Sequence, residues 1–262
     1  MGDDGKRVVY PTLFRIGGFE VTSFGAMVAL GALAGLWVLR RETRARGLPD
    51  DGTEVAVWAL GAGLLGAKLL FVAEHAGRES LAGLLFDRGG LSWFGGLAGG
   101  ILVGLLAARR RRLPLVSLLA AAAPALAVGQ AIGRVGCFLV GDDYGRPTSL
   151  PWGVAFPRGL PPTLDRVHPT QLYEAVLLVG LAALLVRRRH RRASDAGILA
   201  TYLVLAGAAR FAIEFIRTNE RVALGLTVAQ WASLLAVGAG LLIFAWPPRS
   251  PGEVTSPATR RA

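Results

Sequence analysis

The chain has 262 residues, 53% of them hydrophobic, with positive mean hydropathy and a formal charge of +11. Several apolar runs approach the ~20 residues that cross a bilayer, which excludes an ordinary soluble domain. The basic excess does not indicate nucleic acid, because the arginines stand in short clusters between the apolar runs.

In chain order, the first apolar run covers about 21–39. Arg40, Arg41, Arg44 and Arg46 follow it, the wrong flank for a cleaved export signal, so it reads as a retained span. The second run, about 55–73, carries Lys68, whose ammonium must pair or snorkel; a carboxylate or a lipid phosphate would serve. The third, about 91–108, contains Gly95, Gly96, Gly99 and Gly100, a spacing that lets helices approach closely. Arg109 to Arg112 separate it from the fourth, about 114–132.

The stretch Gly133 to Arg146 (GRVGCFLVGDDYGR) then brings arginines, aspartates and glycines together at the end of an apolar run. Charge and flexible backbone at that depth must face protein or water. It opens the one long connection, about 133–171, whose six prolines exclude a continuous helix. Short strands or a re-entrant segment fit Trp152 to Phe156. His168-Pro169-Thr170-Gln171-Leu172-Tyr173-Glu174 leads into the fifth run, about 172–186. Pro169 suits a helix start, Thr170 a cap, and Gln171 and Glu174 face one way. His168 reads either as a base near neutral pH or as a hydrogen-bonded loop histidine.

Arg187 to Arg192 contain five arginines and precede the sixth run, about 196–216. There Arg210, Glu214 and Arg217, at i, i+4 and i+7, share a helical face. The seventh run covers about 227–246, and a Pro- and Ser-rich tail, 247–262, is expected to be disordered and cytoplasmic. The positive-inside rule puts loops one, three and five in the cytoplasm. The other loops, holding Glu79, Asp87, Asp142, Asp143, Asp165 and Glu220, fall outside. The expected fold is therefore a single all-α polytopic domain over 1–246, with about seven transmembrane helices, an outside N-terminus and a structured outer loop. The fourth and sixth spans then bring Arg134 and Arg210 to the same outer level, where two guanidiniums suit a phosphate.

One cysteine, Cys137, and three scattered histidines offer no ligand spacing, so neither metal nor other cofactor is expected. Neither an internal repeat nor a nucleotide-type glycine loop is visible, which weakens transporter and ATPase readings.

These motifs resemble the prolipoprotein diacylglyceryl transferase family of bacterial membrane enzymes. The resemblance rests on Gly133-Arg134-Val135-Gly136, on Gly141 to Thr148, on His168 to Glu174, and on Arg210-Phe211 with Glu214-Phe215 and Arg217. It implies transfer of a diacylglyceryl group from phosphatidylglycerol to the lipobox cysteine of a preprolipoprotein, in the bacterial inner membrane. Phosphatidylglycerol, preprolipoprotein signal peptides and membrane lipid are the expected partners, with a monomeric chain. The expected lipid-binding side chains are Arg134, Arg210, Lys68, Gln171 and Tyr144. The expected catalytic ones are Arg210, Glu214, His168 and Asp142, with the proton falling to Asp142, Glu214 or His168. The chain departs from the family where a His-Gly-Gly histidine is usual and Phe94 stands here. Phe24 and Ala206 replace tyrosines, Cys137 an asparagine and Asp142 a glutamate. A paralogue that binds lipid or lipoprotein without this transfer is the alternative.

Overall fold

The computed structural model describes residues 12–17, 19–77, 80–86 and 91–247; Glu79, Asp87 and the tail from 248 lie outside the described residues. A hairpin of β1 (Thr12–Ile16) and β2 (Phe19–Thr22) leads into α1 (Ser23–Ala45), with Thr22 Oγ1 capping Gly25 N. There follow α2 (Asp51–His75), a short α3 (Leu81–Phe86), α4 (Trp93–Arg110) and α5 (Leu115–Val140). A head built around β3 (Val154–Phe156) and β4 (Thr163–Val167) separates α5 from α6 (Thr170–His190). The chain closes with α7 (Asp195–Glu214) and α8 (Val228–Ala245).

Among the described residues, six helices, α1, α2 and α5 to α8, are long and apolar enough to cross a bilayer. The protein is a polytopic membrane protein. Where a third span is predicted, α4 has 18 residues, but it includes five glycines and ends in Arg109 and Arg110, which dilute its hydropathy.

Lipid tails remove most of the hydrophobic drive between helices, so close packing of small residues must replace it. Each main pair shows this. Gly31 of α1 lies against the Gly129 carbonyl of α5, and Gly207 of α7 against the Ser233 carbonyl of α8. α5 is the central helix, burying Ala120, Ala121, Ala123, Ala125 and Ala127 against α1, α6 and α7. α2 and α4 pack mainly on each other. A Cβ at Gly95 would come within 2.6 Å of Leu70 Cβ and closer still to the Gly66 carbonyl. Gly95→Ala is therefore expected to lower the melting midpoint in detergent, an overpacking cost of about 1–3 kcal/mol. Gly180→Ala, whose Cβ meets nothing within 4 Å, should be neutral or better. Equal midpoints for the two variants would refute this packing account.

At one end of the bundle the helix C-termini of α1, α4 and α6 carry arginines, which the helix dipole favours. A buried ion cluster ties this end together. Glu42, 2% exposed, pairs with Arg46 at 2.6 Å and Arg189 at 3.0 Å, and Arg46 reaches Asp195 at 2.9 Å.

α5 runs to Val140, eight residues past the expected end at 132, so Gly133 to Val140 is helix and the connection begins at Gly141. The predicted strand in Trp152 to Phe156 forms as β3 and pairs antiparallel with β4. Phe156 and Val167 make a small head core with Phe138, Tyr144 and Val154.

Candidate functional site

The site lies where the head meets the C-terminal ends of α5 and α7 and the N-terminus of α6. Gly141 ends α5 in the left-handed conformation, φ 76°, and a Cβ there would strike Phe156 and Gly159 at 2.9 Å. Only glycine turns the chain here without strain. Asp142 and Asp143 follow, with Asp143 also left-handed at φ 59°. Two contacts hold that turn on α6: Thr170 Oγ1 donates to the Asp143 carbonyl at 2.7 Å, and Gln171 Nε2 donates to the Asp142 carbonyl. Thr170 is thus a tether for the turn, and the expected cap is not made.

Beyond the turn, Gly145 bridges Arg217 in antiparallel fashion, and Arg146 N donates to the Ile216 carbonyl at 2.9 Å. A Cβ at Gly145 would come within 2.6 Å of the Ile216 oxygen, so this approach requires glycine. The bridge fixes Arg217, three residues past α7, beside Asp143.

Three arginines and three carboxylates interlock around this seam. Asp143 pairs with Arg134 at 2.8 Å and Arg217 at 2.5 Å. Glu214 pairs with Arg210 at 2.5 Å, lies 3.8 Å from Arg217 Nε, and accepts from Asn219 at 2.6 Å. Glu174 meets all three guanidiniums: Arg134 directly, Arg210 at 3.4 Å and Arg217 at 3.8 Å. The side chains of Arg134 and Arg210 remain 23% and 26% exposed, whereas that of Arg217 is 5% exposed. Arg217 Nε and Nη1 and Gln171 Oε1 are buried without hydrogen-bond partners among the described residues. The Arg217 donors beside two accessible guanidiniums suit an anion with several acceptor oxygens, whereas Gln171 Oε1 can only accept.

Of the residues expected at the site, Arg134, Arg210, Glu214, Asp142 and Gln171 meet at this seam. Lys68 stands on α2, its Nζ 5.2 Å from the Phe71 ring centroid, in the pair that packs on α4. Tyr144 stacks on Phe156 at 5.4 Å and donates to the Pro161 carbonyl at 2.7 Å, a head role. His168 borders the seam through backbone bonds to Gly145 and Arg146. Its Nδ1 lies 3.3 Å from the Tyr173 hydroxyl, which accepts from Trp152 Nε1 at 2.7 Å. Since the indole only donates, the Tyr173 oxygen is its acceptor, and Nδ1 shares that oxygen. Phe94 sits in the first turn of α4 and is 57% exposed. Phe24 lies near Gly136 on α5.

Sequence reasoning left out Glu174, Asp143 and Arg217 as site members, although each lies in a motif it singled out. The available signal was the three-residue spacing of Gln171 and Glu174, whose shared face is the one turned to the arginines.

The two aspartates titrate differently. Burial pushes the Asp142 carboxyl up, and its Oδ1 has no hydrogen-bond partner among the described residues. Burial acts the same way on Asp143, but Arg217 and then Arg134 outweigh it and hold that carboxyl below the usual range. Asp143 thus adds stability that is present above the unfolded value, about 3.9, and is lost as pH falls through its lower folded value. Asp142 has the opposite sign: stability is lost as pH rises from about 4 through its raised folded value. Asp143→Asn is expected to melt below wild type near neutral pH, with the gap closing as pH falls below the unfolded carboxylate value, about 3.9. A gap constant over that range would contradict the pairing. Cys137 Sγ and the Asp142 and Asp143 carboxylates lie within 4.8 Å of one another, the one such group among the described residues, and its charge is already met by Arg134 and Arg217.

The family model described as prolipoprotein diacylglyceryl transferase matches residues 11–246. Among curated relatives, a phosphatidylglycerol–prolipoprotein diacylglyceryl transferase of Clostridium tetani is 30% identical over 239 residues, 89% of this chain and 96% of the relative. One of Geobacter sulfurreducens is 36% identical over 218 residues, covering 80% and 83% of the two chains. A protein of that name numbered 2 in Streptomyces coelicolor is 34% identical over 254 residues, covering 92% and 80%.

Proposed function

This chain belongs to the prolipoprotein diacylglyceryl transferase family, and from that premise we propose that it transfers the diacylglyceryl group of phosphatidylglycerol to the lipobox cysteine of preprolipoproteins. The observation that carries the site assignment is the meeting of Arg134 and Arg210 on one buried carboxylate, Glu174. Two accessible guanidiniums, brought from α5 and α7 to one carboxylate, provide several N–H donors to a phosphodiester.

The substrate thiol loses its proton, and the thiolate attacks the glycerol carbon that bears the phosphate. A carbon–sulfur bond forms as the carbon–oxygen bond breaks. Glycerol phosphate leaves with the bonding electron pair, its charge rising from one to two. Arg134 and Arg210 meet that developing charge, the largest contribution a preorganised cationic site makes. Arg217 and Asp143 hold Arg134, and Glu214 with Asn219 holds Arg210.

Asp142 is the acceptor best suited to the thiol proton. Burial raises its basicity, and one oxygen has no hydrogen-bond partner among the described residues. Glu214 is occupied by Arg210 and Asn219, and His168 Nδ1 by Tyr173, so both are positioning groups. Phe94 cannot exchange a proton, which supports assigning the proton step to Asp142.

All seven long helices span the membrane, with the arginine-rich ends cytoplasmic and the head outside, in the bacterial cytoplasmic membrane. The N-terminus is then outside and the tail inside. The lipobox segment of a signal peptide reaches the seam from that outer face. One chain supplies all three arginines and their carboxylates, so it works as a monomer.

Expression in cells depleted of their own transferase tests the reading. The chain is expected to restore thioether-linked diacylglycerol on lipoproteins, measured by lipid labelling and mass spectrometry. Normal insertion into the membrane without that modification would refute it.

A further inference from the structure

We infer that Glu174 is a built-in competitor of the lipid phosphate: an internal anion that holds the arginines while the site is empty, yields them on binding, and returns to expel the product. The inference rests on the phosphatidylglycerol reading above.

Three observations single out this residue among the carboxylates of the seam. It touches all three guanidiniums, whereas Asp143 spans only Arg134 and Arg217, and Glu214 only Arg210 and Arg217. Those two carboxylates have further ties: the Asp143 backbone is tethered by Thr170, and Glu214, whose side chain is fully buried, accepts from Asn219. Glu174 is also the carboxylate shared by the two arginines that keep accessible surface, Arg134 and Arg210. A phosphate drawing both guanidiniums to itself therefore competes with Glu174 before any other group.

Charge decides the consequence. Asp143, Glu174 and Glu214 already match the three arginines before Asp142 is counted, so the empty cluster carries no excess positive charge. A phosphodiester enters with one negative charge, and glycerol phosphate leaves with two. A site with one fewer carboxylate would hold both anions more tightly, and the dianion most of all. Glu174 thus trades lipid affinity for product release.

The test uses the full-length protein in phosphatidylcholine-based mixed micelles, with phosphatidylglycerol as donor and a lipobox peptide as acceptor. For Glu174→Gln, the KM for phosphatidylglycerol and the inhibition constant for glycerol phosphate are each expected to fall about tenfold, with kcat reduced by slower release. Free glycerol phosphate and intact lipid are separate arms, so binding of the phosphate alone is distinguished from binding of the lipid. Glu174→Asp, which keeps the charge but withdraws it by one methylene, should shift both constants in the same direction by less. It also serves if the glutamine variant does not fold. A purely structural Glu174 would leave both constants unchanged or raised in a folded variant, and that result overturns the inference while the wild type still turns over. A wild type that neither turns over nor is inhibited by glycerol phosphate overturns the functional reading and this inference together.

Discussion

Arg210→Ala is expected to reduce diacylglyceryl transfer by about 10²–10³-fold or more, the usual cost of removing one preorganised donor from a developing anion. The loss should appear in kcat as well as in KM, because charge on the departing phosphate is greater in the transition state than in the bound lipid. Arg210 has a quarter of its side chain accessible and is anchored by Glu214 at 2.5 Å, which fixes the guanidinium plane before lipid arrives. Arg210→Lys keeps the charge but lacks the planar fork, so it should recover stability without recovering most of the rate. Arg134→Ala should behave similarly, since Arg134 reaches the same Glu174 from α5. The measurement is release of glycerol phosphate with a lipobox peptide, beside a melting curve for each variant. Folded variants with unchanged rates would remove both arginines from the mechanism.

The second large effect is expected at the opposite end of the bundle. Glu42→Ala leaves Arg46 and Arg189 facing one another with Asp195 as the remaining carboxylate of that cluster. Breaking a buried network by removing one partner costs about 3–5 kcal/mol, because the remaining charges are left desolvated. The side chain of Arg46 is 6% exposed, so water cannot take over that role. A marked fall in melting midpoint and in membrane yield is expected, with KM for lipid unchanged in the fraction that folds. A midpoint equal to wild type would show that the cluster is not under that constraint. This end of the molecule ties α1, α6 and α7 together, so Glu42 acts on the site only through the stability of the frame.

Much of this was legible beforehand. Hydropathy located seven long helices, and the i, i+4 spacing anticipated the Arg210 to Glu214 pair. By hydropathy the fourth run ends at 132, where Arg134 and its flanking glycines interrupt it, whereas in the structure Arg134 is helical. It stays within α5 because Glu174 and Asp143 neutralise it from α6 and the head. Thr170 was expected to cap α6, yet its hydroxyl is drawn to the Asp143 carbonyl. Lys68 entered the expected lipid site as an ammonium that could meet a phosphate and Tyr144 through the family motif, and their contacts include Phe71 for the one and Phe156 and Pro161 for the other. Glu42 gave no signal at all, being a single acid among arginines at a helix end.

The sequence by itself determined that this chain enters a bilayer, which ends of its helices are basic, and which segments carry the charged motifs. These are properties of composition and of spacing along one helix, and 1.5 Å of rise per residue makes them computable without neighbours. Only the tertiary structure decided that Glu174, 40 residues from Arg134 and 36 from Arg210, is the carboxylate both arginines share. That pairing depends on how closely α5, α6 and α7 pack and on where Gly141 and Gly145 turn the chain. Ion pairs between helices obey distance in space, and one sequence read alone carries no measure of it.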